Sequence, residues 1–167
     1  MTADRPPSTG PGATEGRDDP GPVTVVDEQD VGVDPRWLHR LASRALQALG
    51  VPDEAALSMT LVDRARIAEL KHEALGERAA TDVLSFPLDD LDDPMPGPVM
   101  LGDVVICPAV ALRQARALGR SLEAELAQLL VHGILHLLGR DHPDARSERA
   151  MAAEERALLG AIGEAAA

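Results

Sequence analysis

Apolar side chains fall at helical spacing over five stretches of the chain and in strand-like runs over four others. Val23–Val26, within PVTVVDE, is a short β-branched run that predicts a strand. Asp34-Pro35 reads as an N-cap and the first residue of a helix running through Arg36–Leu49 and stopping at Gly50. Ala56–Val62 alternates and predicts a second strand. Arg64–Leu75 predicts a helix ended by Gly76. Asp82–Phe86 (DVLSF) predicts a third strand, stopped by Pro87. Residues 88–98 (LDDLDDPMPGP) read as an acidic, proline-rich loop, and Gly102–Cys107 as a fourth strand. Pro108 and Ala109 open a helix that ends near Gly119. Ser121 caps the next, with Glu123 in its first turn, and that helix runs to Leu138. A last helix begins after Asp144 and continues to about Gly160. The order β-α-β-α-β-β-α-α-α predicts a single α+β domain over residues 22–162, a small sheet of four strands with about five helices packed around it.

A length of 167 residues suits one core, and 45% apolar residues suffice to fill it. One Trp, one Phe and no Tyr mean that Leu, Val, Ala, Ile and Met must do so. Residues 1–21 are rich in Pro, Gly, Asp and Thr and nearly lack large apolar side chains. They cannot bury enough surface to offset the entropy of ordering, so a disordered acidic tail is expected. That stretch also lacks the apolar run of a signal peptide. The longest apolar stretch, Leu126–Leu138, is too short for a membrane span and carries two histidines. The lone Cys107 makes neither an internal disulfide nor a cysteine-based zinc site. It reads as a small buried apolar residue in a reducing, cytoplasmic setting.

The chemistry concentrates in His132–His142, HGILHLLGRDH, which holds three of the five histidines. His132 and His136 are four residues apart on a predicted helix, about 40° apart around its axis and about 6 Å along it. Two imidazoles so placed reach one ion at about 2.0–2.1 Å. Gly139 takes the left-handed conformation that ends a helix, and the chain turns back to offer His142 as a third ligand. Three protein ligands leave one tetrahedral position for water, the pattern of a catalytic zinc site. Imidazoles on so apolar a helix need partners, and a metal serves both rings; Asp141 is a candidate acceptor for a ligand's second nitrogen. The competing reading is of hydrogen-bonded core or cap histidines.

The spacing H-x-x-x-H-x-x-G-x-x-H also occurs in one class of zinc peptidases, which makes the helix zincin-like. There a glutamate follows the first histidine and serves as general base; here that residue is Gly133, which cannot take a proton. The zinc deaminase pattern fails for want of a second cysteine.

HGILHLLGRDH resembles the H-G-x-L-H-L-x-G-Y-D-H motif of the YbeY family of bacterial metallo-endoribonucleases, with Arg140 at the usual Tyr. TDVLSFP at Thr81–Pro87 and LGDVVICP at Leu101–Pro108 are similar to two further stretches of that family, in the same order. SLEAEL before the histidine helix and ERAM after it also fit. The resemblance spans about residues 22–160. It implies an α+β fold with a mixed sheet and one zinc ion held by His132, His136 and His142. It also implies hydrolysis of single-stranded RNA, 3′-end maturation of small-subunit (16S) ribosomal RNA, and ribosome quality control alongside ribosome-assembly proteins. The family often carries an Arg six residues before the Thr of the T-D-V-L-S-F-P strand; here that position is Leu75, and Arg78 is off register.

Net charge works against an RNA partner. The chain carries −12, of which seven acids and two bases in residues 1–30 supply −5, leaving −7 elsewhere. Nucleic-acid binders usually show a basic footprint. Arg36, Arg40, Arg44, Arg64, Arg66, Arg113, Arg116 and Arg120 could form a local patch. Asp82 and Ser85 are weak catalytic candidates, with turn capping and backbone satisfaction as their ordinary roles. Asp103 reads as a turn residue, Asp89–Asp93 as a solvated loop, and His39 and His72 receive no role. The zinc-dependent endoribonuclease reading stands against a ribosome-assembly factor whose zinc is mainly structural and, more weakly, a zinc peptidase.

Overall fold

The computed structural model describes residues 22–93, 96–140 and 142–163. The tail expected over residues 1–21 lies outside them, as does Asp141. The predicted elements are present in the predicted order. They are β1 (Val23–Glu28), α1 (Pro35–Ala48), β2 (Ala56–Val62), α2 (Arg64–Leu75), β3 (Val83–Pro87), β4 (Met100–Ile106), α3 (Pro108–Leu118), α4 (Leu122–Leu137) and α5 (Ala145–Ala161).

Side-chain caps set the helix starts, because a helix leaves its first N–H groups without intrahelical acceptors. The Asp34 carboxylate accepts from Arg36 N at 2.9 Å, Asp63 from Arg66 N at 2.8 Å, and Ser121 Oγ from Ala124 N at 3.1 Å. Asp144 and Ser147 form a reciprocal capping box on α5. The hydrogen bonds from Ser147 to Asp144 hold that carboxyl below the usual carboxylate range.

Strand ends depart from the sequence reading where pairing continues past the apolar run. β1 reaches Glu28 because Asp27 and Glu28 pair with Leu61 and Val62. β4 begins at Met100, whose N–H donates to Asp89 Oδ2 at 2.8 Å, and the ladder continues through Leu88 and Asp89 N–H groups. Part of the acidic loop is thus a continuation of the β3–β4 hairpin. Pro87 ends β3 from within, which its missing N–H permits because β3 is an edge strand.

The sheet order is β1-β2-β4-β3. β1, β2 and β4 run parallel and β3 antiparallel to β4, giving the expected mixed sheet. Ala56 pairs with Met100 and Leu57 with Gly102, so Leu101 is the extra residue of a bulge. Gly102 has φ +140°, and a β-carbon there would lie 2.2 Å from the Phe86 carbonyl oxygen, so only glycine fits.

Strand alternation divides the interior in two. Leu57, Met59, Leu61, Val104 and Ile106 face the main core, which they share with α1, α4 and α5. Val62, Val105 and Cys107 face the other way, toward Ile67 of α2 and Val110 of α3. Eleven of the sixteen residues of α4 are buried, which makes it the central helix. Leu126, Leu130, Ile134 and Leu135 are almost wholly inaccessible, and each contributes roughly 1.5–3 kcal/mol of apolar burial. That burial fixes the rotation of α4, and with it the direction its histidines face.

Candidate metal centre

His132 and His136 stand one turn apart near the C-terminus of α4. The helix ends at Leu137 with Leu138 as its C-cap, and Gly139 takes φ +85°, the left-handed conformation expected of it. Gly139 N donates to His136 O and Arg140 N to Leu135 O, each at 3.0 Å. The chain reverses there and brings His142 back beside the other two rings. Ring centroids lie 4.5 Å apart for His132 and His136, 5.2 Å for His136 and His142, and 5.9 Å for His132 and His142. One ring nitrogen from each falls within 4.8 Å of the others, and all three side chains are half-buried. Among the described residues, this group of His, Cys, Asp or Glu could hold a metal ion.

The donor set fits a zinc-type cation. Two ligands at about 2.0–2.1 Å in tetrahedral geometry lie roughly 3.3 Å apart. The Nε2 atoms of His132 and His136 face one another at 3.0 Å, close to that separation. Three imidazoles on a partly exposed surface match the ligand chemistry of borderline-soft divalent metals.

The sheet determines what stands between the two helical histidines. A β-carbon at Gly133 would sit 2.8 Å from Val104 Cγ1 and 3.3 Å from Ser85 Oγ. Val104 and Ser85 are directly paired across β4 and β3. α4 therefore lies on the sheet at this residue with no room for a side chain. The glutamate that zinc peptidases carry here is sterically excluded. Ser85 Oγ donates to the Gly133 carbonyl oxygen at 3.2 Å, tying edge strand to helix.

Glu155 was not singled out by the sequence, yet it touches the centre. It lies on α5, is 8% exposed, and its Oε1 pairs with Nδ1 of His132. Met151, Glu155, Leu158 and Ile162 make up the buried stripe of the α5 region. An acid within an otherwise apolar stripe was the available signal. Its neighbour Glu154 pairs with Arg140 at 3.2 Å, so α5 contacts both α4 and the turn leading to His142.

The remaining candidates are dispersed. Asp82 Oδ1 accepts from Val83 N at 2.8 Å, as a turn cap does. With its amide oriented to suit its neighbours, Gln114 donates to Asp82 Oδ2 at 3.2 Å and to buried Glu125 at 3.1 Å. Glu125 also pairs with Arg120 at 3.2 Å. Asp103 is a ladder residue opposite Phe86, and Asp90 caps its own loop by accepting from Asp92 N. Arg66 pairs with Glu69, and Arg44 Nη1 reaches Ile162 O. The arginines of α1 and α2 belong to helices packed on opposite faces of the sheet. Leu75 is 63% exposed at the end of α2, and Arg78 Nη2 lies 3.4 Å from His72 Nε2. Cys107 is fully buried. Among the described residues, no helix is long and apolar enough to cross a membrane.

The model of the family described as Endoribonuclease YbeY matches residues 25–163. Curated relatives bearing that name include one from Mycobacterium sp. (strain KMS), 42% identical over 82% of this chain and 81% of its own. Another, from Acidothermus cellulolyticus, is 45% identical over 83% of this chain and 90% of its own. A third, from Beutenbergia cavernae, is 46% identical over 81% and 93%. The fold is similar to the solution structure of a Thermotoga maritima protein, with a TM-score of 0.61 and 25% identity over 84% of this chain and 88% of that one. The family model and the sequence relatives agree, and the chain belongs to the YbeY family of endoribonucleases.

Proposed function

We propose that this protein, an endoribonuclease by family, cuts single-stranded RNA at one zinc ion held by His132, His136 and His142. The observation that carries the reading is the convergence of three half-buried imidazoles, with ring nitrogens inside 4.8 Å, in a chain of this family. A divalent zinc ion bound there supplies Lewis acidity toward a phosphate oxygen of the substrate.

The chain's own groups divide the remaining work. The three histidines are only half-buried, so a phosphodiester can approach the centre from solvent. Gly133 keeps α4 seated on β3 and β4 and offers no side-chain base. Ser85, committed to the Gly133 carbonyl, supports the helix; Asp82 caps the start of β3. A peptidase reading loses its general base to the Gly133–Val104 contact.

Within the cell we assign the protein to the cytoplasm, to 3′-end maturation of small-subunit (16S) ribosomal RNA, and to ribosome quality control with ribosome and assembly proteins as partners. We also assign residues 22–162 to one catalytic domain, with residues 1–21 as its tail. One observation favours the second reading, an assembly factor with a mainly structural zinc: exposed Leu75 occupies the position where the family often has Arg. Metal analysis of purified protein, paired with cleavage of a single-stranded RNA on the same sample, separates the two. Stoichiometric zinc with cleavage lost in His136→Ala supports the enzyme. Stoichiometric zinc without cleavage by the wild type supports the assembly factor.

A further inference from the structure

Two acidic side chains are buried among the described residues, Glu125 and Glu155. Burying a carboxylate is costly unless charge or hydrogen bonding compensates it. Glu125 has the Arg120 guanidinium at 3.2 Å. Glu155 instead meets an imidazole, the Nδ1 side of His132, across the α4–α5 interface. A ring nitrogen is a less obvious partner for a buried acid than an arginine, and this ring belongs to the three-histidine centre.

The geometry constrains the tautomer. A carboxylate is acceptor-only, so the His132 nitrogen facing it must carry the proton. Neutral His132 is then the Nδ1–H form, with its lone pair on Nε2. That is the atom facing His136 Nε2 at 3.0 Å, inside the cluster. The same contact holds the ring plane, because Glu155 is fixed on a helix anchored by Met151, Leu158 and Ile162.

We propose that Glu155 is a positioning residue for the metal centre: it accepts the Nδ1–H of His132 and so presents the Nε2 lone pair to the ion in the right tautomer and orientation. The assignment rests on the reading of His132, His136 and His142 as ligands. Partners of this kind typically change metal affinity 10- to 100-fold when removed.

The test is zinc affinity of the full chain, measured by competition with a chromophoric chelator, for the wild type, Glu155→Gln and Glu155→Ala. Melting of the metal-free proteins is followed in parallel. Glu155→Gln keeps the volume and an acceptor oxygen, so it guards against a variant that merely fails to fold. The expected order of affinity is wild type, then Gln, then Ala, with Ala weaker by about 10- to 100-fold. Long-range proton–nitrogen correlation spectra of the metal-free protein should show His132 as the Nδ1–H tautomer, shifting toward Nε2–H in the Ala variant. A purely structural contact would lower the melting temperature while leaving zinc affinity within about twofold and the tautomer unchanged; that result overturns the assignment alone. A wild type that binds no stoichiometric metal overturns both the assignment and the ligand reading beneath it.

Discussion

Gly133 of α4 rests directly on Val104 of β4: a β-carbon at position 133 would stand 2.8 Å from Val104 Cγ1. Valine is stiff at χ1 and is fully buried here, so it cannot swing aside. Overpacking of this kind costs about 1–3 kcal/mol, against about 1 kcal/mol gained by replacing a helical glycine with alanine. Gly133→Ala is therefore expected to be net destabilised in urea unfolding. Adding Val104→Ala should relieve the clash, so the double variant loses less than the two single losses together. Gly133→Glu, which restores the peptidase pattern, should unfold the domain and give no peptide hydrolysis. A well-folded Gly133→Glu protein would contradict this account of the helix–sheet contact.

Removing one histidine should uncouple stability from metal. A ligand that binds only the folded state stabilises it by about 2.7 kcal/mol at a hundred times its Kd. The wild type is expected to melt lower after treatment with a chelator and to recover when zinc is restored. His136→Ala should melt at one temperature in either condition. Differential scanning calorimetry of the two proteins, each with and without chelator, makes the comparison; an equal response in both would remove His136 from the ligand set.

Ser85 ties β3 to α4 through its bond to the Gly133 carbonyl oxygen. Ser85→Ala should cost about 0.5–1.5 kcal/mol, the usual worth of such a bond. RNA cleavage at a temperature where both proteins are folded should stay within a few fold of the wild type. A loss of several hundredfold without a matching loss of stability would move Ser85 from support to chemistry.

Leu75→Arg restores the family's basic residue at an exposed site near the C-terminus of α2, where a cation interacts favourably with the helix dipole. Stability should change by no more than about 0.5 kcal/mol. Cleavage of single-stranded RNA is expected to rise and to become more sensitive to salt, as an added phosphate contact requires. Unchanged cleavage across a salt series would show that this position does not reach the substrate.

The features readable in the sequence are those decided within about one helical turn. Asp34, Asp63, Ser121 and Asp144 cap helices with their own side chains, so the residues themselves mark the starts. The i, i+4 spacing places His132 and His136 on one face regardless of what surrounds them, and Gly139 reverses the chain because its backbone tolerates positive φ. Element order and the identity of the three histidines follow from these local rules.

What tertiary structure decided depends on residues far apart in the chain. Strand order β1-β2-β4-β3 reflects which apolar faces find one another, and no local signal encodes it. The bond from Ser85 to Gly133 spans 48 positions, and that between His132 and Glu155 spans 23. Position 133 reads in sequence as a missing base; in the fold it is the point where a helix meets a sheet too closely for any side chain. Glu155 reads as one of three acids on α5, set in an otherwise apolar stripe, and only the packing of α5 turns it against an imidazole. Spacing along a helix is intrinsic to the backbone, whereas burial and partnership belong to surfaces that exist only once the core has closed.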